Sequence, residues 1–357
     1  MNEEKISSLQ SQDAITTHLD LYSLLPESIK VPEVIDKKSG RSWVNWGEDN
    51  KLPQYLWDTY LTCSDLQTLI NRTVDYVNGT DVEVIKPDTM LTEDDSFEEV
   101  VTKSVFDYIT FGGFALECIR NSRGEIVRVN YINVMNVRVN EELNTAYISN
   151  SWGSWSGKNV IEMPLYDKNE VQPHFIFFYR GAITRNINPI PIWFAGLKSA
   201  QVLNETRNYN LREIQNNFSP NVIISLNGVS IKTNELKEIK EKLSHQYEGT
   251  DNAGKTMLIN NANSDGKVEV TRLEADKAAD VYRNVQESSQ KDLRMAFAMN
   301  EALLGINYSS GFQAVEYENI YKLYQATIIN PLRGNVKKAF KKLGIDIEFT
   351  DKKIEWE

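Results

Sequence analysis

The chain has 357 residues, 41% hydrophobic and 25% charged, with a formal net charge of −11. That composition is globular and sized for two or three domains with substantial cores. The acidic balance excludes a tight, salt-dependent grip on nucleic acid, and two isolated cysteines, Cys63 and Cys118, exclude a disulfide framework or a zinc site. Residues 1–100 carry 20 acidic and 8 basic side chains, −12, so the remaining 257 sum to +1. No stretch approaches the roughly 18 consecutive apolar residues of a membrane span. The opening MNEEKISSLQ is unlike a signal peptide, so a cytoplasmic compartment is expected and the Asn-x-Ser/Thr triplets are read as silent.

In chain order, residues 1–45 are polar, acidic and broken by Pro26, Pro32 and Gly40, which predicts an extended or partly disordered arm. Residues 46–193 read as a mixed helix-and-strand region. A helix is expected from about Leu52 to Val77, stopped at Asn78-Gly79, then the strand DVEVIK, then a helix over about Ser96 to Phe111 stopped at Gly112-Gly113. The alternating runs FALECIR, EIVRVNYIN, VRVNEEL, TAYISN and HFIFFYR predict antiparallel strands. Two long polar helices follow, Gly196 to Phe218 and Glu274 to Met299, around a small module with the strands NVIISL, KTMLIN and KVEVTRL. A last helix over residues 311–343 carries apolar Tyr317, Ile320, Tyr321, Tyr324, Ile328, Leu332, Val336, Phe340 and Leu343, with a kink expected near Asn330 from Pro331.

The second long helix contains QESSQKD, residues 286–292, two turns without an apolar side chain. Helical stability in water comes mostly from packing an apolar face, so a neighbouring copy of the same chain is the expected support.

Candidate chemistry is sparse. Gly249 to Thr256 matches the phosphate-loop pattern G-x-x-x-x-G-K-[ST]. That chemistry needs a strand entering the loop and a helix leaving it. Here the order is reversed: Thr233 to Glu248 reads as a helix and TMLIN as a strand, so a nucleotide hydrolase is the minor alternative. His18, His174 and His245 stand apart from any nucleophile, and the acidic run Glu93, Asp94, Asp95, Glu98, Glu99 reads as a helix entry rather than a metal site. Trp43, Trp46, Tyr55, Trp57 and Tyr60 fit core packing. Trp152 and Trp155 read equally as a partner-contacting loop or a tight aromatic turn. The basic set Arg333, Lys337, Lys338, Lys341 and Lys342 reads plainly as a solvated face near a helix end, or more sharply as a patch facing a polyanion. No catalytic residue, metal or cofactor is expected.

The order of elements resembles the portal proteins of tailed bacteriophages, from about Trp46 to Leu343. The residues that carry it are WGEDNKLP with its Gly-x-x-Asn-x-x-Pro spacing, NVMNVRV, PIPIWFAGLKSAQV, FSPNVIISLNG, NAGKTMLIN, and MAFAMNEALLGI with FQAVEYENIYKLYQATIINPL. Many members carry Val-Pro where this chain has Ala298-Met299-Asn300.

The resemblance implies an α+β portal fold: an N-terminal arm (1–45), a wing (46–193), stem helices (194–218 and 274–299), a clip (219–273), a tunnel loop (300–313) and a short crown (314–357). It further implies a ring of about twelve copies at one capsid vertex, in the virion and, during assembly, in the host cytoplasm. The ring would pass double-stranded DNA and dock the terminase large subunit, a head–tail adaptor, and major capsid and scaffolding proteins, with no membrane involved. The implied channel residues are Asn307, Tyr308, Ser309, Ser310, Gly311, Phe312 and Gln313 in the loop, and Gln286, Ser289, Gln290 and Lys291 on the stem. Arg333, Lys337, Lys338 and Lys341 would face DNA in the crown, and Glu235, Lys237, Glu238 and Lys242 would face a partner on the clip, although alternating Lys and Glu is equally what a solvated helix shows. A stem helix of about 23 residues would be roughly 35 Å long. A head–tail adaptor or scaffold that forms rings without conducting is the alternative within the same class.

Overall fold

The computed structural model describes residues 42–152, 160–181, 186–215, 222–227, 257–261, 268–272, 276–305 and 314–352. The first helical signal is continuous in sequence but splits into α1 (Leu52–Thr62) and α2 (Ser64–Asn78) at Cys63, whose φ of −98° and ψ of 102° are extended. The single helix expected here is therefore two. Cys63 is buried, so the apolar pattern runs through the break, while the hydroxyls of Thr59 and Thr62 bond back to the carbonyls of Tyr55 and Asp58 at the end of α1.

After the strand β1 (Asp81–Ile85), helix α3 (Phe97–Phe111) is set by its ends. Ser96 Oγ accepts from Glu99 N at 3.2 Å and Ser96 N donates to Glu99 Oε2 at 2.8 Å, a reciprocal cap. Gly112 closes the helix at φ 88°, and a Cβ there would lie 2.3 Å from the Ile190 carbonyl, so only glycine fits.

Beyond α3, the alternating runs form two antiparallel sheets. One is ordered β3-β2-β7 from β2 (Gly113–Arg120), β3 (Ile126–Ile132) and β7 (His174–Arg180). The other is ordered β4-β5-β6 from β4 (Val137–Val139), β5 (Thr145–Ile148) and β6 (Ile161–Pro164), the last not anticipated from sequence. Phe114, Leu116, Cys118, Val129, Phe175 and Phe177 from the first sheet are buried with Val100, Val101, Val105 and Tyr108 of α3.

Two motif fragments that lie far apart in sequence meet at a joint. Asn50 adopts a left-handed backbone (φ 64°) after Gly47 (φ 82°), and Pro53 stands in the first turn of α1. The Asn50 side chain accepts from Trp46 N and from Arg138 Nε, and Arg138 also donates to the carbonyls of Asn50, Met135 and Val137. Trp46 and Trp152 cover the guanidinium at 5.3 and 4.8 Å. Burial lowers the Arg138 pKa to about 9. Val44, assigned to the arm by its sequence, is buried and donates its N–H to Val139 O at 2.9 Å, so the packed body begins ahead of Trp46.

The long helices are α4 (Leu197–Gln215) and α5 (Asp276–Ala296). Between them the strands β8 (Val222–Asn227), β9 (Met257–Asn261) and β10 (Val268–Arg272) form a sheet ordered β10-β8-β9, with β8 and β9 parallel. The C-terminal part is α6 (Ala314–Tyr324), a π-turn over Gln325–Ile329, α7 (Asn330–Lys341) and β11 (Asp346–Thr350), which pairs antiparallel with β1. Pro331 has no N–H to give to the preceding turn, and the π-turn in front of it takes up the irregularity. The extra residue shifts the buried stripe: Ile329, not Ile328, is buried, and Leu332, Val336 and Phe340 follow in step.

Candidate assembly surfaces

The site expected from sequence is the pair α4 and α5, and the structure divides it into two zones. At its root, Trp193 is fully buried, stacks on Phe297 at 5.9 Å with an 8° interplanar angle, and donates Nε1 to Ile109 O at 2.8 Å. Leu197, Ala200 and Leu203 of α4 and Leu293 of α5 are buried around it. A Cβ on Gly196 would come within 2.9 Å of Ala296 Cβ and Leu293 Cδ1, so this glycine sets how closely the chain approaches α5.

A polar network sits next along the helices. Arg207 pairs with Asp65, Gln290 Nε2 donates to Asp65 Oδ1 at 3.1 Å, and Asn204 Nδ2 donates to Thr62 Oγ1 at 2.7 Å. Farther out, Leu211 and Val285 are exposed.

This bears directly on the expected channel residues. Ser289 is buried and Gln290 bonds to Asp65, so two of the seven residues of the polar run are held by the chain itself, a correction to the expectation that only a neighbour would satisfy it. Gln286 is half-buried and Lys291 is exposed. The loop residues Asn307, Tyr308, Ser309, Ser310, Gly311, Phe312 and Gln313 lie outside the described residues, as do Glu235, Lys237, Glu238 and Lys242. So does the phosphate-loop pattern 249–256, with β9 beginning directly after it at Met257.

The basic face of α7 is not uniformly solvated. Arg333 is buried: Nε donates to Val77 O at 2.7 Å, Nη2 to Tyr76 O at 3.0 Å, and Nη1 pairs with Asp351. It thereby satisfies carbonyls at the end of α2 that the helix leaves open, and this corrects its placement on a solvent-facing patch. Lys337 meets Glu348 at 2.7 Å, Lys341 meets Asp346 at 3.5 Å, and Lys338 is exposed. Sequence reasoning missed Asp65, Arg207 and Arg333 as anchors. Their partners are up to 257 positions away, beyond the reach of any local pattern.

Titratable groups inside the body serve packing. Asp107 accepts from Tyr131 OH at 2.9 Å and Val134 N at 3.1 Å, and burial raises its pKa to about 7. Burial likewise raises Tyr324 to about 12 and pushes Tyr76, which donates to Leu303 O, well up. His174 pairs with Glu117 at 2.7 Å, and no group of three or more metal-ligating side chains occurs among the described residues. In the run Glu93 to Glu99, Glu99 caps α3 with Ser96, Glu98 stands in its first turn, Asp95 pairs with Lys103, and Glu93 accepts from Asn130. No helix among the described residues is long and apolar enough to cross a membrane.

A packed body that roots two long helices at one end, with their outer apolar side chains uncovered, defines an assembly protein. The sequence matches the phage portal protein family over residues 86–354. The fold is similar to a chain in the virion of the native gene transfer agent (GTA) particle, with TM-score 0.55 and 13% identity over 83% of each chain. It is also similar to chains in the neck of the empty GTA particle computed with C6 symmetry (TM-score 0.54, 11% identity, 83% of each). For the neck of the native particle computed with C12 symmetry, the values are TM-score 0.51 and 12% identity over 83% of this chain and 84% of that one. At such identities the likeness is one of fold. No curated protein matches the chain in sequence. The chain belongs to the phage portal protein family, and its role is that of a portal protein.

Proposed function

We propose that copies of this chain close into a ring of about twelve whose central hole passes duplex DNA, and that the protein catalyses no reaction itself. The observation that carries this is the zoned pair α4 and α5, anchored through Trp193, Phe297 and Asp65 and left apolar and exposed at Leu211 and Val285. Heterologous side-to-side contacts that close give a cyclic ring and would cover the outer zone. The C12 symmetry used for the neck of the native GTA particle supports the number of copies.

In this reading residues 46–193 are the wing, α4 and α5 the stem, residues 219–273 the clip, 300–313 the tunnel loop, and α6 to β11 the crown. Gln286 remains as a channel-lining residue, and Lys337, Lys338 and Lys341, without Arg333, as the DNA-facing set. Glu235, Lys237, Glu238 and Lys242 on the clip would meet the terminase large subunit or a head–tail adaptor, while the wing borders the capsid and scaffolding proteins.

Electron microscopy of the purified chain tests the reading. A ring with a hole wide enough for duplex DNA is expected; a uniformly monomeric protein under assembly conditions rejects it. Reversal of Lys337, Lys338 and Lys341 to Glu should change DNA packaging or retention while leaving rings intact. Unchanged packaging removes those residues from the assignment.

A further inference from the structure

Where α5 meets the C-terminal helix there is an open groove of about 630 Å³. Met295, Met299, Leu303, Ile320, Leu323 and Tyr324 make its apolar wall. Met295 is 78% exposed and Leu323 65%, an unusual degree of exposure for two large apolar side chains on one groove. Lys291 stands on the rim, exposed and one helical turn from Met295.

The same chain carries a complementary feature. Leu61, the penultimate residue of α1, is 55% exposed, and Asp58, three positions earlier on the same helix, is exposed beside it. The junction just after Leu61 is fixed to the long helices by the Thr62–Asn204 bond and by Asp65, which takes Gln290. Leu61 is four residues from Asp65, the partner of Gln290, which precedes Lys291 on α5. Gln290 faces α2, whereas Lys291 and Met295 are rotated from it by about 100° and 140°. The groove is walled by α5 and α6, whereas Leu61 ends α1, whose Thr62 is held to Asn204 of α4, so a contact between them joins two different patches and is heterologous.

We infer that in the ring, the reading on which this rests, the groove of one subunit receives the α1 end of the next copy of the chain. Leu61 seats against Met295 and Leu323, and Asp58 comes to Lys291. The apolar contact excludes water and the charge pair fixes the direction in which subunits follow one another.

Cysteine cross-linking tests this directly. Leu61→Cys combined with Met295→Cys, treated with a short bis-maleimide on assembled protein, should yield a ladder of covalent oligomers up to the ring, and neither single variant should. Met295→Asp with Leu323→Asp changes only exposed positions, so circular dichroism should stay that of the wild type while sedimentation shifts from ring to monomer. Asp58→Lys and Lys291→Asp should each raise the concentration needed for assembly severalfold, and the double variant should restore it. Rings that persist in the Met295→Asp/Leu323→Asp variant, or a wild-type ring whose cysteine pair gives no ladder, overturn the inference. A wild type that forms no ring overturns instead the proposed function beneath it.

Discussion

The C-terminal helix α7 and the long helices α4 and α5 are all amphipathic, yet their own chain covers them differently. On α7 the apolar stripe of Leu332, Val336, Ala339 and Phe340 is buried, with Phe340 stacked on Phe114. On α4 and α5 burial stops partway: Leu203 and Leu293 are inside, whereas Leu211 and Val285 farther out are exposed, as is Met295 on another face of the root. Composition alone does not tell these cases apart. The polar run 286–292 is partly held by the chain's own Asp65, while the apolar Met295 beyond it is left open. A helix's need for a partner is read from which face is uncovered, not from how polar it is.

The largest expected effect strikes the root. Trp193→Ala removes the stack on Phe297 and the bond to Ile109, and should cost about 3–5 kcal/mol in urea unfolding. An unchanged midpoint would mean that the root does not anchor the long helices. Arg333→Met tests the other region: it leaves the Tyr76 and Val77 carbonyls without their donor and should cost about 2–3 kcal/mol.

A pH series probes α3, which supports the sheets of the body. Asp107 is raised to about 7 by burial, so between about pH 4 and 7 the folded chain holds a proton that the unfolded chain has lost. Stability from this group is therefore full below about pH 4 and lost as pH rises through 7. Asp107→Asn should flatten that slope, on the order of 2 kcal/mol, in urea midpoints measured at pH 5 and pH 8. The smallest effect belongs to the outer zone: Leu211→Asp and Val285→Asp should each change stability of the unassembled chain by less than about 0.5 kcal/mol. A large loss there would show that the chain itself covers this zone and erase the contrast.

What could be read beforehand was local. Ser96, Glu99 and Gly112 mark α3 within one turn of its ends, and the period of two in FALECIR and HFIFFYR marks strands whatever they pair with. What could not be read depends on distant partners or on one irregular turn. The break at Cys63 is hidden because the residue is buried on both accounts, helix or not. The strand Asp346–Thr350 gains its meaning from Asp81–Ile85, and the shift from Ile328 to Ile329 from a single π-turn before Pro331. For the site, the pair of long helices was legible. The division of their residues between the chain's own body and open surface was not, because Asp65 lies 225 positions from Gln290.

The pairing of β1 with β11, locked by Arg333 on the end of α2, sets an order on biosynthesis. Val77 waits 256 residues for the side chain that completes it, so the body cannot latch while the ribosome is still at work on the middle of the protein. A nascent polypeptide interrupted before Asp346 would carry every long helix yet lack the latch. Such a fragment should be cut by protease faster than the full chain, because β1 would keep an unpaired edge.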